Sequence, residues 1–239
     1  MISCLRHEFI QNKGAFKMKK TKTSFIITAV LFLLFVVFTV LVRTIDVGVP
    51  SFDATSPEVG FVQLNSAVHE ALGTSEIWYT VSDIMGIFLL WVVAFFAALG
   101  LIQWRRRKNL FKVDSTILLL GALYVLLAVC YVLFEIVVIN FRPIMIEGVW
   151  EASYPSSHTM LVCCVMGSSI PAVAQIFTKK TWRIVYNVAA SLIIAVTVVG
   201  RLLSGVHWFT DIIGGVLLSA ALVMLYVSAL TLVKAKTAR

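Results

Sequence analysis

The chain has 239 residues, 60% of them hydrophobic and only 13% charged, with a mean hydropathy of +0.96 and a formal net charge of +8. So apolar a composition excludes an ordinary soluble domain and reads as a polytopic membrane protein. Strict alternation of apolar and polar residues, the mark of a membrane barrel, is absent, so the backbone must satisfy itself within helices.

Residues 1–17 differ in character from the rest of the chain, and Met18-Lys19-Lys20-Thr21-Lys22 has the make-up of a membrane-protein start, which makes Met18 a candidate initiator. Residues 1–23 are expected to form a basic cytoplasmic arm and residues 24–239 one six-helix membrane unit. A helix needs about 20 mostly apolar residues to cross the hydrocarbon core. Six stretches qualify, roughly 24–42, 77–103, 115–139, 158–177, 184–203 and 209–233. No small-residue cleavage site comes after the first of them, which therefore reads as a retained anchor. Between the first two spans, Pro- and Gly-punctuated sequence gives way to Phe61, Leu64, Val68 and Leu72 at helical spacing. That pattern predicts a short amphipathic helix on the outer leaflet, with His69 on its wet face.

All but three of the 20 Lys and Arg residues lie in the amino-terminal arm, in 105–112, in 179–183 or in the tail from Lys234. Short cytoplasmic loops collect Lys and Arg, so both termini are expected inside. Trp78, Trp150 and Trp208 then fall near the outer interface, Trp104 and Trp182 near the inner one, and Trp91 mid-span. Topology accounts for the net charge, and a nucleic-acid partner is not implied. Cys4 lies in the inner arm, and Cys130, Cys163 and Cys164 lie in spans, which leaves no disulfide framework on an oxidising side.

The exceptions are Arg43, Arg142 and Arg201. The last two belong to three polar clusters isolated by apolar sequence: Arg142-Pro143, Ser153 to Thr159, and Arg201 followed by Gly205, His207 and Asp211. On the expected topology all three meet the outer face, and charges at membrane depth are costly enough to count as functional candidates. His207 and Asp211, four apart, share a helix face. A carboxylate bonded to one ring nitrogen fixes the tautomer and frees the other nitrogen for attack on phosphorus. His158 can protonate a leaving oxygen, and Arg142 and Arg201 present donor forks to phosphate oxygens. Ser156 and the N–H groups opening the fourth span add neutral donors at a helix start. Each cluster alone has a plainer reading: a snorkelling Arg beside a helix breaker, a serine-capped helix start, a buried His–Asp pair. Their joint occurrence on one membrane face favours a phosphate site.

Arg142-Pro143, Pro155-Ser156-Ser157-His158 and Arg201…His207…Asp211, with Gly205, Trp208 and Gly214 around the last, resemble the motifs of the type 2 phosphatidic acid phosphatase superfamily. These are membrane lipid phosphatases related to vanadium haloperoxidases. The resemblance implies an all-α bundle of six transmembrane helices and catalytic His207, Asp211 and His158. It further implies Arg142, Ser156 and Arg201 at the substrate phosphate, a phosphohistidine intermediate, and no metal or other cofactor; Ser157, next to Ser156, is a further candidate there, its main-chain donor being available. Lipid phosphates such as undecaprenyl diphosphate, phosphatidate or phosphatidylglycerophosphate would be the substrates, met among the membrane lipids of the outer leaflet.

Three positions depart from the family pattern. Gly200 stands for a serine, Ser157 for a glycine, and Glu135 for the lysine seven residues before Arg142. On a continuous helix Glu135 and Arg142 would share a face about 10 Å apart. Glu135 then reads as an ionised partner of Arg142 or Arg201, as a protonated donor to substrate, or as a carboxyl snorkelling to the interface. Rival functions are a non-catalytic lipid-phosphate-binding scaffold, a transporter and a metal hydrolase. The transporter lacks mid-depth Gly/Pro breaks and an inverted repeat, and the metal hydrolase lacks a third outward His or Cys. The sequence does not specify an oligomeric state.

The orientation makes a direct prediction: cysteines placed singly at Ala152 and Arg106 react with an impermeant thiol reagent from opposite sides of the membrane. Labelling of both from one side overturns it.

Overall fold

A computed structural model of the chain describes the backbone of residues 2–237 and the side chains of residues 18–237. Arg6, Lys13, Lys17 and Cys4 of the expected arm lie outside the described side chains, as does Arg239 of the tail. Among the described residues there are seven α-helices and no strands: α1 Ile2–Thr44, α2 Val62–Leu72, α3 Glu76–Arg107, α4 Ser115–Ile136, α5 Ser157–Ile176, α6 Lys180–Leu203 and α7 Phe209–Thr237. All but α2 are long and apolar enough to cross a membrane, α1 over Met18–Thr44. The protein is a multi-pass membrane protein, and each expected span corresponds to one of these helices.

α5 is the central element, packed against α3, α4, α6 and α7. Its buried residues include Val162, Cys164, Val165, Met166, Ser168, Ser169 and Ala172. In lipid no hydrophobic force drives helices together, so close approach of small residues and interhelical hydrogen bonds carry association. Tyr186 of α6 accordingly donates to Ser169 Oγ at 2.6 Å. The outward faces are aliphatic: Ile26, Leu33 and Val40 on α1, Ile87, Leu90 and Trp91 on α3, Val125 and Val132 on α4, and Val188 and Leu192 on α6 are all exposed. That is a lipid-facing belt. Cys130, Cys163 and Cys164 are free thiols.

Successive spans run in opposite directions, so the connections gather at two ends. At one end Gln103 of α3 and Asp114 exchange hydrogen bonds of 2.7 and 2.9 Å, and Arg107 pairs with Asp114 at 2.8 Å. The Arg107 guanidinium holds the Asp114 carboxyl below its ordinary value. At the other end the segments 45–75, 137–156 and 204–208 are tied together, by Ser75 N–H to Ser204 C=O at 3.2 Å and Trp208 Nε1–H to Phe141 C=O at 2.7 Å among others.

Two expectations need correction here. The third span stops at Ile136, not 139, because the chain turns into a small hairpin. Phe141 pairs with Ala152, and Ile146 with Val149. Glu147 and Gly148 between them have φ of 50° and 79°, as a two-residue type I′ turn requires. Pro143 also keeps Arg142 out of the helical region. Trp208 is not an interfacial ring: it is 1% exposed, covered by Phe52 and His69 at ring-centroid distances of 6.1 and 5.8 Å. His69 is thus part of that cover and stacks on Phe52 at 4.8 Å.

The amphipathic helix α2 docks by a polar residue. Asn65 is 1% exposed. Its Nδ2 donates to Gly60 C=O at 2.8 Å and to Thr210 Oγ1 at 3.0 Å, and its Oδ1 accepts from Thr210 N–H at 3.2 Å. Leu64 and Leu72 stay exposed, apolar surface of the kind that suits a helix lying against lipid. Asn65→Ala leaves these buried partners unsatisfied and is expected to cost about 1–3 kcal/mol, read as a lowered melting temperature in detergent. An unchanged melting temperature overturns the docking role.

Candidate functional site

The hairpin, the start of α5 and the α6–α7 connection meet at one end of the bundle, and each positions a member of the predicted constellation. The hairpin sets Arg142 opposite Glu151: Arg142 N–H donates to Glu151 C=O at 3.0 Å, and its Nε lies 3.1 Å from Glu151 Oε2. Pro155 and Ser156 precede α5, with Ser156 as its N-cap residue. The Ser156 hydroxyl does not cap the helix and is buried without a hydrogen-bond partner. Ser156 N–H instead donates to Asp211 C=O at 3.0 Å, which ties the start of α5 to the start of α7.

Between α6 and α7 the corner is tight. Gly205 has φ of 70°, and a Cβ there would lie 2.5 Å from Gly73 C=O and 3.0 Å from Thr74 Cα. Only glycine allows both the left-handed backbone and this approach. Trp208 N–H donates to Asp211 Oδ2 at 2.9 Å, so the Asp211 side chain caps its own helix. His207 and Asp211 are both buried, with Nδ1 3.7 Å from Oδ2. The pair faces as the i, i+4 spacing predicts, at a separation longer than a hydrogen bond.

His207 feels the charges of Arg201, Arg142 and His158, so the three polar clusters of the sequence converge here. Burial, followed by those neighbouring positive groups, holds the His207 imidazole well below its ordinary value of 6.5. It is therefore neutral near pH 7. An unusual number of buried polar atoms here lack a hydrogen-bond partner: both His207 ring nitrogens, His158 Nδ1, Arg201 Nε, Asp211 Oδ1, and the hydroxyls of Ser153, Ser156 and Thr159. Buried polar groups are normally paired, so this concentration of unpaired donors and acceptors marks a place built for a polar ligand.

Arg201 is 1% exposed. Its partner is a residue that the sequence motifs do not single out: Asp83 of α3, whose Oδ1 lies 2.9 Å from Arg201 Nη1 and 3.2 Å from His158 Nε2. Asp83 and His158 stand at the polar end of a groove of about 420 Å³ between α3 and α5, walled by Tyr79, Ile84, Ile87, Leu90 and Leu161. The one available signal was an aspartate inside an otherwise apolar span.

Glu135 is where expectation and structure part. The helix carrying it ends at Ile136, so the continuous register to Arg142 does not exist. The ion-pair partners of the arginines are Glu151 and Asp83, and among the described residues Glu135 pairs with neither arginine. It is exposed and lines a small crevice with Tyr131, Ser153, Tyr154 and Ser157. Ser157, expected with Ser156 at the phosphate, lines that crevice too.

Residues 139–233 match the family model of the PAP2 superfamily. The matched segment contains Arg142, Ser156, His158, Arg201, His207 and Asp211, so the resemblance drawn from the motifs stands. A solved structure described as the first transmembrane PAP2 type phosphatidylglycerolphosphate phosphatase from Bacillus subtilis is similar to this chain. The two share 19% identity with a TM-score of 0.56, over 83% of this chain and 93% of that one. At that identity the likeness shows the fold. No curated protein matches the sequence.

The buried, neutral His207 makes a prediction about stability. Below pH 6.5 the unfolded chain takes a proton on this imidazole that the folded chain refuses, so stability falls as pH falls through that value. Melting temperatures measured from about pH 8 to about pH 5 should drop on the acid side, and His207→Asn should shrink that drop. An equal drop in both proteins overturns the assignment.

Proposed function

We propose that the protein is a membrane lipid phosphatase that releases phosphate from a lipid headgroup at the outer leaflet through a phosphohistidine on His207, without a metal. The observation that carries this reading is the convergence of two arginines and two histidines on a cluster of buried, unpartnered polar atoms. The PAP2 match of residues 139–233 supports it.

In the first step the Nε2 lone pair of neutral His207 forms an N–P bond while the bond from phosphorus to the leaving oxygen breaks. The leaving oxygen keeps that electron pair and takes a proton from His158. Asp211, facing Nδ1, steadies the ring and the positive charge it acquires. In the second step water attacks phosphorus, gives its proton to the now neutral His158, and the N–P bond breaks to free inorganic phosphate and His207. Arg142 and Arg201 stabilise the equatorial oxygens throughout, with Ser156 as a neutral donor. Among the described residues no three His, Cys, Asp or Glu side chains are grouped to hold a metal ion, and the cationic role is assigned to the arginines.

The groove between α3 and α5 suits a hydrocarbon chain, and its polar end presents the headgroup to His158. Phosphatidate, phosphatidylglycerophosphate and undecaprenyl diphosphate are the substrates to try. Both termini would lie in the cytoplasm, opposite the site.

The test is phosphate release from that panel by purified protein, with and without EDTA. The parent should turn over at least one of these lipids, keep its rate in excess chelator and be inhibited by orthovanadate. His207→Ala should lose at least about 10³-fold in kcat. Undiminished activity in His207→Ala overturns the covalent route, and loss on chelation restored by a divalent ion overturns metal independence.

A further inference from the structure

One turn of α3 forms a seat for Arg201. Besides the bond to Asp83, Arg201 Nη1 lies 3.4 Å from Ser82 Oγ, and the guanidinium carbon lies 5.2 Å from the Tyr79 ring centroid. Positions 79, 82 and 83 share a helix face by their spacing. The neighbouring glycine lets the two helices meet: a Cβ on Gly200 would lie 3.2 Å from Ser82 Cβ and 3.5 Å from Trp78 C=O. The departure from the family's serine at 200 thus coincides with the close contact that puts Asp83 beside Arg201. None of this seat on α3 lies within residues 139–233.

Asp83 Oδ1 also faces His158 Nε2, so one oxygen reaches from α3 to both α5 and α6. The charged or titratable groups around His158 are Asp83 on α3, Arg201 on α6, Arg142 in the hairpin and His207 in the α6–α7 corner. Asp83 is the carboxylate among them. Without it a proton on His158 would face an Arg201 guanidinium that has lost its counter-charge, while Arg142 keeps Glu151.

We propose that Asp83 is a positioning residue for the phosphatase reaction, tying the phosphate-binding Arg201 to the proton donor His158 so that phosphate binding and leaving-group protonation share one fixed point. This role rests on the phosphatase reading. It acts chiefly through His158, and that makes it separable from a general contribution to folding. A leaving group that departs without a proton does not need a positioned acid, whereas an alkoxide does.

The experiment measures kcat and KM for a short-chain phosphatidate and for para-nitrophenyl phosphate, with melting temperature recorded for every protein. Asp83→Asn keeps the shape and an acceptor oxygen while removing the charge. Its kcat on the alkyl phosphate should fall about 10-fold or more, with KM within about 3-fold, and the aryl phosphate should lose far less. In the His158→Ala background the same substitution should cost little further, because both act through one step. Asp83→Glu should recover part of the alkyl rate. Equal losses on the two substrates, a loss additive with that of His158→Ala, or an Asp83→Asn protein that binds more tightly and turns over faster each overturn the proposal. If Asp83→Asn does not fold, Asp83→Glu carries the same comparison, with leaving-group dependence supporting the role and a uniform loss overturning it. A parent protein inactive on both substrates and on every lipid of the panel overturns the phosphatase reading itself; an active parent indifferent to Asp83 overturns only the positioning role.

Discussion

A guanidinium removed from water at the end of a membrane bundle is the constraint on which the rest of this structure turns. Arg201 is 1% exposed, and a buried charge without a partner costs several kcal/mol. Asp83 supplies the partner from α3, and the chain is shaped to deliver it. Gly200 brings α6 against α3, Ser75 N–H holds Ser204 C=O, and Gly205 slips beneath the backbone of Gly73. Arg142 is handled in the same manner by Glu151 across the hairpin. The pocket is therefore a set of paired charges with spare donors, not a bare positive hole. On the proposed reading, an incoming phosphate would add an acceptor to cations that are already oriented.

Main-chain contacts do much of the orienting. Asp211 spends one carboxylate oxygen on Trp208 N–H, and its own carbonyl receives Ser156 N–H. The polar residues at the two helix starts are thus spaced in part by a main-chain bond, Ser156 N–H to Asp211 C=O, that side-chain substitution leaves in place. The indole of Trp208, anchored on Phe141 C=O, fixes the hairpin to the same corner. Such preorganisation is what electrostatic stabilisation of a transition state demands.

The spans and the motif residues were legible in the sequence because each rests on a local pattern: long apolar runs, basic flanks, and i, i+4 spacing at His207 and Asp211. Asp83 was not, since its partner Arg201 is 118 residues away, and no periodicity announces which buried arginine an isolated aspartate will meet. The end of α4 was missed for a different reason. Val137, Val138 and Ile139 continue the apolar run, so hydropathy extends the span while the turn at Glu147-Gly148 and Pro143 already commits the chain to a hairpin. That misplaced register made Glu135 look like a partner for Arg142. Trp208 was misread because aromatic rings near a span end ordinarily sit among headgroups, and only the tertiary cover of Phe52 and His69 removes it from them.

The seam between α1 and α7, the most extensive helix contact in the bundle, is stitched by hydroxyls. Thr28 and Ser228 approach to 3.0 Å and Ser24 and Thr231 to 3.5 Å, while Thr39 bonds to Tyr154 at 2.8 Å above them. Each of these α1 hydroxyls also lies within bonding distance of a carbonyl of its own helix, Thr21, Ser24 or Phe35. During synthesis α1 emerges first and α7 last. The α1 hydroxyls can wait in hydrocarbon with their protons already satisfied, and the acceptor lone pair of Thr28 remains to be claimed when Ser228 of α7 arrives. A helix made this way tolerates a long solitary stay in the bilayer, and the correct register is favoured because a slide of one turn leaves one hydroxyl pair where there were two.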